Sequence, residues 1–298
     1  MHALTGVAAL LLGVAVLLGA GCERDDTALQ ASLGAAASST LNLRLLRSRD
    51  QGASWRLDEA VLAHGVSSLH ACTVEGRVWV PALLDTRSIP WWETAFPIPF
   101  LDSFQSSDLT TWTAHRSPLR GDTTGGVDPA CVVGPRGLEM WFAEVLGSFE
   151  DPAKGDHVSQ IWRSRWLGDR FGEAEIVTTG TGLIDPAPIY IDGALRLFLN
   201  KDGDHIVELV GDTLVDRWMR VTVPAAVDLG DRRWLLGQAP RGPGMMPVAR
   251  EILADGLGDP FPLAIDAELH SCESPSMTTL GPEWLLFCVQ TNIPGQPQ

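Results

Sequence analysis

Basic side chains are scarce in this chain: 22 Lys and Arg stand against 37 Asp and Glu, a formal net charge of −15 over 298 residues. That balance argues against the basic face that a phosphate backbone demands, so no nucleic acid partner is expected. Acidic excess otherwise bears on solubility rather than on fold. Long helical periodicity is missing throughout, which leaves an all-β chain as the expectation. Tyrosine is nearly absent, with Tyr190 the one copy. None of the five cysteines has C-x-x-C spacing, so no zinc site is expected, nor any cofactor. Lys201-Asp202-Gly203-Asp204-His205 looks calcium-like but lacks the remaining acidic ligands and reads as a turn. After residue 21 no second long apolar run occurs, so the body is expected to be soluble.

The one long apolar run covers residues 3 to 21 and ends in small residues, Gly19-Ala20-Gly21, just before Cys22. Small residues at that place suit a signal peptidase, and the run has signal-peptide length. The segment resembles a bacterial lipoprotein signal, in which the cysteine is lipidated and becomes residue one. The resemblance implies export and a lipid anchor on Cys22, facing the periplasm or the cell exterior. An uncleaved anchor is the alternative, since roughly 18 apolar residues can span a bilayer. Residues 22–40 read as a flexible tether. The domain is then residues 41–298, expected as a monomer. Cys72, Cys131, Cys272 and Cys288 remain, and an oxidising compartment permits two disulfides with three connectivities open.

Ser48-Arg-Asp50-Gln-Gly52-Ala-Ser-Trp55 fits the pattern Ser-x-Asp-x-Gly-x-x-Trp at every specified position. Ser and Asp side chains bond nearby backbone amides, Gly supplies a positive φ, and Trp buries its ring at the start of a strand. Weaker copies run Ser106 to Trp112, Ser164 to Phe171, Gly211 to Trp218 and Asp255 to Phe261. Their aromatic ends stand 57, 59, 47 and 43 residues apart. A recurring unit of about 40 to 60 residues signals a propeller or an array.

A second series lies between these turns. Strand, tight turn and strand recur from His70, Asp128, Asp185 and Glu273, and once more from Val221 to Leu236. Each unit is a hairpin, a third strand, a turn and a fourth strand. The expected fold is a five-bladed β-propeller of four-stranded antiparallel blades, in which residues 41–62 join the hairpin 274–290 to close the ring. A β-sandwich with accidental likeness between hairpins is the alternative.

The Ser48–Trp55 turn resembles the Asp-box of sialidases and related propellers, where it is structural. Sialidases also need a nucleophilic Tyr paired with Glu and an arginine triad, and Tyr190 sits in mid-strand. The Asp128-Pro129 and Asp185-Pro186 strand starts, the Glu273-Ser-Pro start and Ser106-x-Asp108-Leu-x-x-Trp112 resemble the five-bladed superfamily of glycoside hydrolase families 32, 43, 62 and 68, over roughly residues 41–292. Those families carry two Asp and one Glu on successive inner strands. The resemblance implies Asp128 and Asp185, in either order, as base and pKa-tuning residue, and Glu273 as acid, acting on a glycosidic bond. In this chain the ring order is Glu273, His70, Asp128, Asp185. His70 is a substrate-binding candidate or a plain hydrogen-bonded funnel residue. Trp91 and Trp92, in a Pro-rich loop, are a sugar-stacking lip or a hydrophobic flap. Two readings stay open: a membrane-anchored glycoside hydrolase-like enzyme, and a non-catalytic propeller that binds glycans or a protein.

Overall fold

The computed structural model describes residues 41–84, 100–118, 126–146, 157–168, 170–241, 244–265 and 269–291. The expected signal peptide, Cys22, the tether and the Trp91–Trp92 loop lie outside these residues.

Among the described residues there are strands and no helices. The chain opens with β1 (Leu41–Ser48), β2 (Arg56–Leu57) and β3 (Ala63–His64). Blade 1 follows: β4 (Val66–Leu69) and β5 (Cys72–Val74) form one interrupted inner strand against β6 (Arg77–Leu84), then come β7 (Phe100–Ser106) and β8 (Thr113–Pro118). Blade 2 is β9 (Val127–Gly134), β10 (Gly137–Leu146), β11 (Val158–Arg165) and β12 (Glu175–Thr181). Blade 3 is β13 (Leu183–Ile191), β14 (Ala194–Lys201), β15 (His205–Val210) and β16 (Thr213–Met219). Blade 4 is β17 (Thr222–Asp228), β18 (Arg233–Arg241) and β19 (Gly244–Leu253), edged by β20 (Gly256–Leu257) and β21 (Phe261–Pro262). Blade 5 joins the last strands to the first: β22 (Glu273–Leu280) and β23 (Glu283–Thr291) continue into β1 and β2, with β3 also on β1. Inner strands pack in the cycle β4, β9, β13, β17, β22 and back to β4. The fold is a five-bladed propeller of four-stranded antiparallel blades.

The core is five clusters, one between each pair of neighbouring blades. Period-two alternation therefore sends apolar side chains to both faces of a blade rather than to one. In β23, Leu285, Phe287 and Val289 pack on blade 1, while Trp284, Leu286 and Cys288 pack on blade 4. In β10, Trp141, Ala143 and Val145 face blade 3, while Met140 and Phe142 face blade 1. Second strands must then read as unbroken apolar runs, and Trp284-Leu-Leu-Phe-Cys-Val289 does.

The turns hold themselves by short bonds. Ser48 Oγ accepts from the Gly52 amide at 2.8 Å, and Asp50 Oδ1 from the Ser54 amide at 2.9 Å. Gly52 has φ +83°, and a Cβ there would meet the Trp284 ring at 3.0 Å. In the turn after β7, Ser106 Oγ accepts from Leu109 N and Asp108 Oδ1 from Thr110 N and Thr111 N. Two disulfides form: Cys72–Cys131 joins the inner strands of blades 1 and 2, and Cys272–Cys288 ties the start of β22 to β23.

Candidate active site

Four of the five inner strands carry one device. Each has a residue followed by proline, namely Asp128-Pro129, Asp185-Pro186, Val223-Pro224 and Ser274-Pro275. At each, two residues oppose one on the next strand: the pairing slips between Val127 and Ala130, Ile184 and Ala187, Thr222 and Ala225, and Glu273 and Ser276. These are β-bulges, which bend a strand and re-aim a side chain. Proline fits because it brings no N–H that the slipped ladder would leave unpaired. The residue before it takes the left-handed region in all four, with φ of 52°, 50°, 51° and 46°. Asp tolerates that conformation better than most side chains.

This register moves one expected equivalence. Ser274, rather than Glu273, stands at the step of Asp128 and Asp185, and Val223 stands there in blade 4. Glu273 shares its step with Val127, Ile184 and Thr222. The proline marks the bulge, and Glu273 is one residue further from its proline than either Asp. The Glu273 carboxylate accepts from Ser271 Oγ at 3.1 Å and Thr291 Oγ1 at 2.9 Å.

Asp128 and Asp185 come together. The Ser68 hydroxyl and the Asp185 backbone N–H favour the ionised form of the Asp128 carboxyl, and burial opposes them. Asp185, buried at 8 % exposure, accepts from Asn200 Nδ2 at 2.8 Å. Loss of water around Asp128 outweighs its two donors and pushes it up to about 6. Asp185 is raised well above the ordinary range, first by burial and then by the charge of Asp128. The charge of one carboxyl bears on the other, so the pair gives up its protons in two linked steps. Such a pair can take a proton from, or hydrogen-bond, a hydroxyl-rich ligand.

The Asp pair lies within a belt of bonds between blades. Ser274 N donates to Gln238 Oε1 at 2.8 Å, and Ser274 Oγ to Ser67 O at 3.4 Å. Gln238 stands opposite Thr222 as Asn200 stands opposite Ile184, the same step in two blades. Ser68, Asn200 and Gln238 escape a sequence reading because their partners are across strands. Asn200 and Gln238 were within reach of counting across the hairpin from the proline.

His70 falls at the break between β4 and β5, where its N–H donates to Pro81 O at 3.3 Å. It is 4 % exposed, and neither ring nitrogen has a hydrogen-bond partner among the described residues. Burial lowers its pKa to about 4, so the ring is neutral.

Tyr190 does pair with a glutamate. Its hydroxyl donates to Glu139 Oε2 at 2.9 Å, and Trp141 Nε1 donates to the same oxygen at 3.3 Å. Burial and Glu139 raise the phenol, which removes it from the phenolate form a nucleophile uses. Tyr190 is also five residues along β13 from Asp185, about 16 Å of extended strand. The two groups do not form one site.

No protein-family model and no curated protein matches the sequence. Solved structures match it in fold. A variant of the family-43 glycoside hydrolase BlXynB from Bacillus licheniformis is 11% identical, with a TM-score of 0.52, covering 75% of this chain and 48% of that one. A xylan β-1,4-xylosidase from Bacillus halodurans is 12% identical, with a TM-score of 0.53, covering 78% and 50%. A protein of unknown function from Dyadobacter fermentans is 14% identical, with a TM-score of 0.51, covering 78% and 92%. The chain thus spans about half the length of the first two. At these identities the likeness concerns the fold, and the chain is a five-bladed propeller with structural neighbours among family-43 glycoside hydrolases.

Proposed function

We propose that this chain is an exported, lipid-anchored propeller that acts on a carbohydrate in its central funnel. The observation that carries this is the Asp128–Asp185 pair: two carboxyls on neighbouring inner strands, both raised by burial, with one affecting the other. Asp128 is the base and Asp185 the residue that tunes it, with Glu273 the candidate acid. The family-43 neighbours in fold support a glycosidic substrate. The test is a screen of nitrophenyl glycosides and polysaccharides with the parent, Asp185→Asn and Glu273→Gln. Hydrolysis by the parent that falls at least about 100-fold in both variants supports the full assignment.

A specific observation favours a second reading, glycan binding without hydrolysis. Glu273 is one step off the register of the two Asp residues, and blade 4 places Val223 where a third acid would follow. Saturable glycan binding by the parent, lost in Asp185→Asn and kept in Glu273→Gln, with no hydrolysis, selects this reading. Absence of both binding and hydrolysis refutes the carbohydrate assignment. The anchor is tested separately: labelled palmitate should enter the parent and fail to enter a Cys22→Ser variant.

A further inference from the structure

The Ser48–Trp55 turn borders a cleft that the funnel reading leaves unused. The cleft holds about 390 Å³ between blades 5 and 4. That volume falls among small-ligand pockets. Blade 5 supplies the turn, and blade 4 supplies Arg232, Trp234, Glu251 and Phe261. The cleft stands at the far end of the blades from the proline bulges. Ser48 pairs with Trp284, and Trp284 with Thr279. Thr279 is five residues along β22 from Ser274, about 16 Å of extended strand. The cleft and the Asp pair are therefore separate places.

The floor is aromatic and fixed. Trp234 is buried, and it meets Phe261 and Trp284 edge to face, each at 5.2 Å. The turn backbone lies directly on these rings: a Cβ at Gly52 would stand 3.0 Å from Trp284 and 3.2 Å from Trp234. Phe261 is half-buried, so part of its ring is open. An open aromatic ring offers an apolar face for the C–H side of a flat ligand.

The rim is polar and carries both signs. Asp50, Gln51, Arg232 and Glu251 are exposed, and the last three have no side-chain partner among the described residues. Ser48 Oγ and Ser54 Oγ donate to Asp50, which fixes that carboxylate beside the cleft. A guanidinium only donates, a carboxylate only accepts, and an amide does both. A cation entering the cleft meets Arg232, and an anion meets two carboxylates. A neutral ligand rich in hydroxyls, each both donor and acceptor, uses all of these groups and the open ring at once.

We propose that this cleft is a second saccharide site, in which Phe261 packs on a sugar ring while Arg232 and Glu251 bond its hydroxyls. The proposal goes beyond the funnel reading and does not depend on it. The cleft at the Ser106–Trp112 copy is larger, about 630 Å³, but fits a sugar less well. Its Arg47 is already bonded to Asp58 and Glu283, and Leu57, Leu62 and Leu109 surround a single ring, Trp112.

The test is NMR titration of the nitrogen-labelled full chain with xylotetraose, cellotetraose and maltotetraose, read at the backbone amides of Gly52 and Ala53. At least one of the three should shift both amides along a saturating curve, with a Kd of about 1 mM or tighter. Arg232→Ala and Phe261→Ala should each weaken that binding at least about tenfold, and Asp185→Asn should leave it unchanged. Arg232→Ala changes an exposed, unbonded side chain, so it remains informative where Phe261→Ala loosens the aromatic floor. No saturating shift with any of the three, binding that either variant leaves unweakened, or binding lost in Asp185→Asn overturns the proposal. Funnel binding is read apart, at the backbone amides of Val127 and Ile184, so the failure of one reading leaves the other standing.

Discussion

Asp185 and Asp128 stand at the same bulge step of neighbouring inner strands, and the charge of Asp128 helps to raise Asp185. The influence crosses from blade 2 to blade 3. At both carboxyls burial is the larger cause of the rise.

A stability trend with pH follows. Asp128 is raised from 3.8 to about 6, so between those values the folded chain holds a proton that the unfolded chain has released. Stability then falls as pH rises through this window, and the contribution is full only below about pH 4. Asp185, also raised well above the ordinary range, acts in the same direction. Asp128→Asn removes it and should be more stable than the parent at pH 7, by an upper bound of about 3 kcal/mol. Urea midpoints at pH 4.5 and pH 7 measure this. A variant no more stable than the parent at pH 7 would show that the pair is not strained by its burial.

His70 works in the opposite direction. Its pKa falls from 6.5 to about 4, so in that range the unfolded chain binds a proton that the folded chain refuses. Stability is therefore lost as pH falls from about 6.5 to 4. The loss offsets the gain from Asp128, and the parent should show a shallow profile over this range. His70→Leu removes two buried nitrogens that have no partner among the described residues and should not destabilise the fold at pH 7. Its midpoint should rise as pH falls from 6.5 to 4.5, leaving the carboxyl trend alone. If the variant is as acid-labile as the parent, His70 is not the group responsible.

Val223 occupies a conformation that suits Asp and Ser better. At φ 51° a β-branched side chain crowds its own backbone, at a cost of about 1–2 kcal/mol. Val223→Asn should raise the unfolding free energy by about 1 kcal/mol, and Val223→Gly should relieve the same crowding. Chemical melts of both compare directly with the parent. Two variants that melt below the parent would mean that the Val223 side chain contributes more by packing than its backbone costs.

Much of this fold can be read from one line of sequence because each blade repeats a local instruction. Asp192-Gly193 turns with both residues at positive φ, and Gly281 turns β22 into β23. Apolar runs such as Met140 to Ala143 mark second strands covered on both faces. Asp128 and Asp185 stand out because each begins a hairpin and precedes proline. What stays hidden is register. The bulge belongs to the proline step, and a reading anchored on acidic residues selects Glu273 where Ser274 belongs and finds nothing in blade 4. The bonds from Ser274 to Gln238 and to Ser67 stay hidden for another reason. They depend on how closely neighbouring blades approach, which no spacing along the chain encodes.

The two disulfides should differ in what their loss costs. Cys72 and Cys131 are separated by 59 positions, and Cys272 and Cys288 by 16. Closing the longer loop removes more freedom from the unfolded chain, about 4 kcal/mol against about 3 for the shorter. The native surroundings do not reverse the order, since Cys131, Cys272 and Cys288 are all buried in apolar clusters and each loses one sulfur on replacement by Ala. The longer bridge also crosses from blade 1 to blade 2, whereas the shorter stays within blade 5. Cys72→Ala with Cys131→Ala should therefore lower the urea midpoint more than Cys272→Ala with Cys288→Ala. Peptide mapping without reductant should recover the Cys72–Cys131 and Cys272–Cys288 pairs in the parent. A larger loss from the shorter bridge would mean that Cys272–Cys288 acts by holding the start of β22, and with it the Ser274 bulge, rather than through the unfolded chain.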